Sequence, residues 1–195
     1  MIGRSALHYA RVLAGLDRPQ TQTTAAEREL LASFLPGAKR VVEIGVFEGY
    51  TTRVLAERAD ADSVIYGIDP FLTGRFGISW GERIARIYNG RYLTSGKIRF
   101  IAKRSTDVDE EVPTPVDLVF IDGDHSLPGI SADWAYWSER VGSGGIIALH
   151  DTLLTPDKPM GYMLGSIEYF RDHIQHDSRF EIVRQKDSLS VLRKR

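Results

Sequence analysis

The sequence predicts an α/β protein: a doubly wound, mostly parallel sheet of seven strands, finished by a C-terminal antiparallel hairpin. Three observations predict it. Short apolar, β-branched runs alternate with helical patterns along most of the chain, an order that yields parallel strands joined by crossover helices. The first run, Val41 to Ile44, ends in a glycine turn that opens directly into a helix. The polar residues that stand out fall at the ends of runs, where open parallel sheets bind their ligands. The 195 residues contain no linker, repeat or low-complexity stretch, so residues 1–195 read as one domain, with 1–22 as an N-terminal lid or arm and 23–195 as the core.

Taken in order, residues 6–13 suggest a short helix ended near Gly15 and Pro19, a surface helix or an arm to a second copy of the chain unless a family resemblance makes it a substrate cover. Thr24 and Glu27 form a capping box, each able to satisfy one free amide of a first helical turn. That helix should run from 25 to about 35, where Pro36-Gly37 stops it. Strand one covers 41–44, and a helix with Val54 and Leu55 inward follows Gly49. Residues 63–70 make strand two, with Asp69 at its C-terminal end, and 78–93 read as one helix carrying Ile84, Ile87 and Tyr88. Strand three spans 97–102, and Ser105 opens the next helical stretch. Residues 116–122 are apolar enough for a central strand buried on both faces. A helix with Ile130, Trp134 and Trp137 inward then ends at Gly142. Strand five runs from Gly144 to Thr152, 156–163 is a loop, and 164–174 a helix. Two alternating runs bracket Gln185-Lys186-Asp187 as the closing hairpin.

Composition narrows the function. A net charge of −1 provides no field to gather nucleic acid or anionic lipid, so neither is expected as a partner. The chain has no cysteine, which removes disulfides, thiolate metal sites and a cysteine nucleophile. No run has the length of a signal peptide or a membrane span, and a cytoplasmic protein is expected.

The chemistry gathers at the strand tips. In Glu43-Ile44-Gly45-Val46-Phe47-Glu48-Gly49-Tyr50-Thr51 the turn offers backbone N–H groups above strand one, and Gly45 allows a ligand to approach the main chain. The G-x-G-x-x-G of dinucleotide sites is absent, and Glu43 would repel a pyrophosphate. That weighs against a nicotinamide-binding oxidoreductase, one rival reading; a non-catalytic cofactor-binding scaffold is another. Asp69 is placed to accept both hydroxyls of a ribose. Asp122, Asp124 and His125 follow strand four, and His150 and Asp151 follow strand five, its neighbour in this architecture. Gathering so many anions needs compensation, either from a divalent cation or from a protonated histidine.

The stretch Glu-Ile-Gly-Val-Phe-Glu-Gly-Tyr-Thr-Thr resembles motif I of class I S-adenosylmethionine-dependent methyltransferases. Together with Ile-Asp-Gly-Asp-His-Ser and Gly-Gly-Ile-Ile-Ala-Leu-His-Asp-Thr, it is similar to a small-molecule and sugar O-methyltransferase family with macrolide O-methyltransferase and cephalosporin hydroxylase-like members. The likeness spans about residues 38–152. It implies a Rossmann-like fold and S-adenosylmethionine bound by Glu43, Gly45, Val46, Phe47, Gly49, Thr51, Asp69, Ser105 and Asp122. It also implies a hydroxyl-bearing small molecule as acceptor, in-line methyl transfer, and in some members magnesium held by Asp122 and Asp151 with Asp124 as base. Two departures count against the metal. His150 stands where an acidic pair would begin, and Thr152 stands where catechol-type enzymes carry Asn. Imidazole and hydroxyl suit magnesium poorly, which leaves His125 or His150 as base in a metal-free enzyme. Phe71, Phe76, Trp80 and Tyr162 are candidate walls of the substrate pocket.

Overall fold

In the computed structural model, which describes residues 4–74, 77–155 and 164–195, the β-branched runs become strands. β1 (Arg40–Ile44), β2 (Val64–Ile68), β3 (Ile98–Ile101), β4 (Val116–Ile121) and β5 (Val141–Leu149) lie parallel, and β6 (Phe180–Lys186) and β7 (Leu189–Lys194) form the antiparallel hairpin. The order across the sheet is β3-β2-β1-β4-β5-β7-β6. The chain winds outward from β1 to β3, then returns to lay β4 against the other side of β1. Strand order therefore switches between β1 and β4, and a crevice opens above their carboxyl ends.

Strand pleating sorts the core into two faces. Val42, Ile44, Val119, Ile121, Ile147 and Leu149 point to one side, where Ile130, Trp134 and Trp137 of α6 (Leu127–Arg140) and Phe170 of α7 (Gly165–Asp172) cover them. Val41, Leu118, Phe120, Ile146 and Ala148 point to the other, under Leu31 of α2 (Ala25–Ala32) and Leu55 and Ala56 of α3 (Tyr50–Arg58). Trp137 is fully buried, and truncating a tryptophan so placed costs about 3–5 kcal/mol.

The capping box forms as the sequence predicts: Thr24 Oγ1 accepts from Glu27 N, and Glu27 Oε2 accepts from Thr24 N at 2.7 Å. Four local expectations change. The helix predicted for 78–93 is two, α4 (Trp80–Tyr88) and α5 (Gly90–Thr94), because Asn89 turns inward and donates to Gly49 O (2.9 Å) and Ala85 O (3.0 Å). No helix forms between β3 and β4 among the described residues; turns bury Val108 and Val112 there instead. α2 stops at Ala32, short of the proline, and β5 begins at Val141, taking Gly142 into the sheet rather than leaving it as a helix stop. The N-terminal helix α1 (Arg4–Leu13) has a packing partner in α4, with Tyr9 against Trp80 at 5.3 Å between ring centroids. The expected loop at 156–163 lies outside the described residues, as do Phe76 and Tyr162. Among the described residues no helix is long and apolar enough to cross a membrane.

Candidate active site

A cleft of about 720 Å³ lies over the β1–β4 switch, walled by the turn after β1, the tip of β2, the loop after β3, the start of α6 and the segment Gln20–Thr21–Gln22. Its floor depends on Gly45. This residue has φ +88°, and a Cβ there would stand 2.1 Å from the Asp122 carbonyl oxygen. The turn beyond it is held by Asp69, whose Oδ2 accepts from the amides of Val46 and Phe47 (3.0 Å each) and whose Oδ1 accepts from Phe71 N (2.7 Å). Each carboxylate oxygen has a second lone pair, so Asp69, at the cleft edge, can still receive ligand hydroxyls. Gly49, at φ +76°, starts α3 without any side-chain cap, leaving amides of the first turn open to an anionic group. Thr51 lines the cleft beside them and shares a hydroxyl cluster with Thr21 and Thr23.

The expected cofactor residues thus separate by position. Gly45, Val46, Phe47, Thr51, Asp69, Ser105 and Asp122 line the cleft. Gly49 sits behind it, packed so closely on Asn89 and Ala85 that a Cβ would lie 2.6 Å from Asn89 Nδ2. Glu43 lies below the floor, 1% exposed, and neither of its oxygens makes a hydrogen bond among the described residues. Burial pushes its carboxyl well above the usual range against the pull of the neighbouring Thr52 hydroxyl, with Asp122 and Asp69 adding repulsion. Neither Phe71, a buried core residue, nor Trp80, against Tyr9, lines the cleft.

The residues after β4 and β5 form two layers. Asp122, Asp124 and His125 face the cleft, while His150 and Asp151 are buried behind them. The pleat carries His150 to the face of Ile146 and Ala148, which α2 covers, and there it meets Glu27. His150 Nε2 is 3.3 Å from Glu27 Oε2, and its Nδ1 is 2.9 Å from Asp122 Oδ1. Glu27 Oε1 also accepts from the amide and hydroxyl of Ser188 in the β6–β7 turn. Burial alone would lower the pKa of His150, but Asp122 and Glu27 outweigh it and push it up to about 10. Burial would raise Glu27, but His150, the Thr24 amide and Ser188 bring it down to about 2. Asp122 is lowered as well, since His125 and His150 offset its burial. Glu27–His150–Asp122 is therefore a buried carboxylate–imidazolium–carboxylate row at neutral pH.

That row bears on two expectations. His150 is buried behind the cleft, and Asp122 and Glu27 hold it toward its protonated form, which opposes a role as base. Nor does the donor set suit magnesium. The ligand atoms that come within 4.8 Å of one another belong to Asp122, His125 and His150, without Asp151. Two of these three donors are imidazoles, which suit magnesium poorly, and the Thr152 hydroxyl is spent on Ser188 O and Ser190 Oγ. Asp151 adopts a positive φ of 51° and lies 3.7 Å from His125 Nε2. Asp124 is exposed, and the Ser126 amide it accepts from keeps its carboxyl below the usual range. His125 lines the cleft with Nε2 turned toward Asp122 (3.5 Å) and Asp151, and its Nδ1 makes no hydrogen bond among the described residues.

Two contributors escaped the sequence reading. Glu27 was legible as a helix cap, but its reach to His150 is a tertiary fact. Asp133 stands beside Trp134 on α6, one polar residue on a largely apolar face. It is 4% exposed, lines the cleft, and receives the Ser105 hydroxyl on Oδ1. Burial pushes its carboxyl up to about 6 despite that bond.

Comparison with known proteins agrees with this fold. The chain aligns over almost its whole length with the O-methyltransferase TomG from Streptomyces achromogenes, solved with S-adenosylmethionine (19% identity, 98% of this chain and 90% of that one, TM-score 0.69). It aligns similarly with an O-methyltransferase from Bacillus cereus in complex with S-adenosylhomocysteine (16% identity, 98% and 91%, TM-score 0.66). An rRNA methylase from Streptococcus thermophilus shares the fold (16% identity, 90% and 99%, TM-score 0.61). No curated protein sequence matches the chain. A family model described as a methyltransferase domain matches residues 42–152, from β1 through the tip of β5. The chain belongs to that methyltransferase-domain family.

Proposed function

We propose that this protein transfers a methyl group from S-adenosylmethionine to a hydroxyl of a small molecule, without a metal, and with His125 as the base. One observation carries the reading: the same cleft that presents an uncapped helix start, Asp69 and Ser105 also exposes a histidine backed by two carboxylates. TomG and the Bacillus cereus enzyme bind S-adenosylmethionine and S-adenosylhomocysteine in the same fold. Here Asp69 would take the ribose hydroxyls, the α3 start and Thr51 the carboxylate end, and ionised Asp122 the positive end of the methionine moiety. Bound there, the cofactor supplies an electrophilic methyl carbon.

The protein's remaining work is to align the acceptor oxygen and remove its proton. Asp122 and Asp151 stabilise a proton on Nε2 of His125, which leaves Nδ1 to accept one from the substrate hydroxyl, the logic of a base oriented by carboxylates. His150 supplies a positive charge between Asp122 and Glu27. The modest net charge and the absence of a basic stripe favour a small acceptor over nucleic acid.

The test is a thermal-shift and calorimetry panel with S-adenosylhomocysteine and NAD, each with magnesium and with chelator. S-adenosylhomocysteine alone should raise the melting temperature, equally in both conditions. A shift with NAD and none with S-adenosylhomocysteine would overturn the reading. On a panel of phenolic and sugar hydroxyls, His125→Ala should lower kcat by about a hundredfold or more while leaving S-adenosylhomocysteine affinity intact. Loss of activity in chelator, restored by magnesium, would refute the metal-free mechanism.

A further inference from the structure

Beside the cleft, on the outer side of its Tyr50 wall, folding gathers four arginines that are far apart in the sequence. Tyrosines hold them. Tyr50 of α3 stacks on Tyr88 of α4, with ring centroids 6.1 Å apart and planes 13° from parallel. Arg28 of α2 lies over the Tyr50 ring at 5.0 Å, and Arg53 of α3 over Tyr88 at 4.6 Å. Tyr92 of α5 has Arg53 at 5.8 Å and Arg91 at 4.4 Å. Arg18, in the segment that leads to Gln20, acts on Tyr88 as well: burial raises that hydroxyl, and the charges of Arg53 and Arg18 oppose it.

Charge on this face does not balance. Arg53 and Arg91 share the one carboxylate of Glu57, whereas Arg18 and Arg28 have no ion pair among the described residues. Part of the guanidinium edge is in use, since Arg53 donates to Glu57 and to Tyr88 O, and Arg28 Nη1 donates to Thr23. Nη2 of both Arg28 and Arg53 and the whole Arg18 side chain make no hydrogen bond among the described residues. A guanidinium already held on a ring loses little freedom on binding, and its planar fork matches the oxygens of a phosphate. The cleft next door has the opposite sign: Asp69, Asp122, Asp124 and Asp133 line it, against Arg104 and His125. A molecule with a neutral hydroxyl end and an anionic end is therefore steered one way round, hydroxyl into the cleft and anion onto the arginines.

We propose that this face holds a phosphate or diphosphate carried by the acceptor, so that the hydroxyl compound is methylated as its phosphate ester. The inference rests on the methyl-transfer reading and adds the class of acceptor to it. Phosphate suits the face better than a single carboxylate because guanidiniums from separate segments can share its several oxygens.

Calorimetric titration of the full chain, with and without saturating S-adenosylhomocysteine, tests this at about 0.15 M salt. The probes are inorganic pyrophosphate, uridine diphosphate glucose and glucose. Pyrophosphate should bind in both conditions, and the diphosphate ester should bind about tenfold tighter than glucose or better. Arg18→Ala and Arg28→Gln should each weaken both anions by about tenfold. Arg18 is exposed and unpaired among the described residues, so its replacement leaves the fold intact. Arg99→Gln removes a β3 arginine that lies over Tyr66 and should leave both affinities unchanged. No pyrophosphate binding, equal affinity for the ester and glucose, or unchanged affinities in both variants overturns the proposal. So does pyrophosphate binding that S-adenosylhomocysteine abolishes, which would put the anion inside the cleft. A single-stranded RNA oligomer that binds at these arginines more tightly than the ester overturns it in favour of nucleic acid. If S-adenosylhomocysteine does not bind while pyrophosphate does, and Arg18→Ala weakens it, the methyl-donor reading falls and the phosphate site stands by itself.

Discussion

Glu27→Gln is the most informative single perturbation of the buried row. The substitution keeps the size and one acceptor for Ser188 but removes the charge that faces His150 Nε2 at 3.3 Å. The fall of the Glu27 carboxyl from an ordinary 4.5 to about 2 corresponds to about 3 kcal/mol at neutral pH. Breaking a buried ion pair from one side independently suggests about 3–5 kcal/mol. The rise of His150 is the same interaction seen from its other end, so the two effects are not added. The pH signature has a definite sign. Glu27 has a depressed pKa, so its contribution is complete above 4.5 and is lost as pH falls through about 2. His150 has a raised pKa, so its contribution is complete below 6.5 and is lost as pH rises through about 10. Between those limits wild-type stability should decline by about 1.4 kcal/mol per pH unit from this group. Urea titrations followed by tryptophan fluorescence at pH 5.5, 7 and 9 measure both effects. Glu27→Gln should be about 3 kcal/mol less stable at pH 7 and should lose less between pH 7 and 9, because its histidine gives up the proton earlier. A variant within 1 kcal/mol of wild type at pH 7, or a wild type flat from pH 7 to 9, would refute the ionic row.

Two further outcomes follow from local geometry. Gly45→Ala combines a left-handed backbone with a Cβ 2.1 Å from the Asp122 carbonyl oxygen; it should cost more than about 4 kcal/mol, and a melting temperature within about 5 °C of wild type would show that β1 and β4 can separate there. Glu48 accepts from Gln20 N and lies 3.0 Å from His8 Nε2, tying the N-terminal segment down beside the cleft. The pKa of His8 is raised because Glu48 and Asp17 outweigh its burial, so this tie is complete below 6.5 and weakens as pH rises. Glu48→Gln should therefore weaken S-adenosylhomocysteine binding several-fold at pH 6 and less at pH 8.5; equal binding at pH 6 would mean the segment is no wall of the cofactor site.

Much of the architecture was readable because one physical signal repeats. Runs such as Val116 to Ile121 have no alternation, since both faces are buried, and each crossover helix returns the chain to start a parallel neighbour. The glycine turn and the tip acids were readable for the same reason: strand ends are fixed in sequence once strands are. The break at Asn89 was not, because its cause is a bond to Gly49 O, forty residues earlier. Local periodicity continued through it unchanged. The roles of the two histidines could not be separated either. His125 and His150 follow equivalent strands and look alike in sequence, but only His150 lies on the face that α2 covers, so only it meets Glu27. Asp133 was hidden by its neighbours Trp134 and Trp137, which mark α6 as a core helix and make an acid beside them look like its solvent side.

The placement of β7 has a consequence for how the protein comes into being. It is the last of the seven strands to be synthesised, yet it lies inside the sheet, hydrogen-bonded to β5 on one side and β6 on the other. Until residues 189–194 are made, β5 presents a bare edge next to Ile147 and Leu149, a template for pairing with other nascent chains. β6 cannot cover it alone, since its partner in the sheet is β7. The same hairpin brings Ser188 to Glu27. The nascent chain thus holds this edge of β5 and the Ser188 side of Glu27 open together, and docking of the one hairpin closes both.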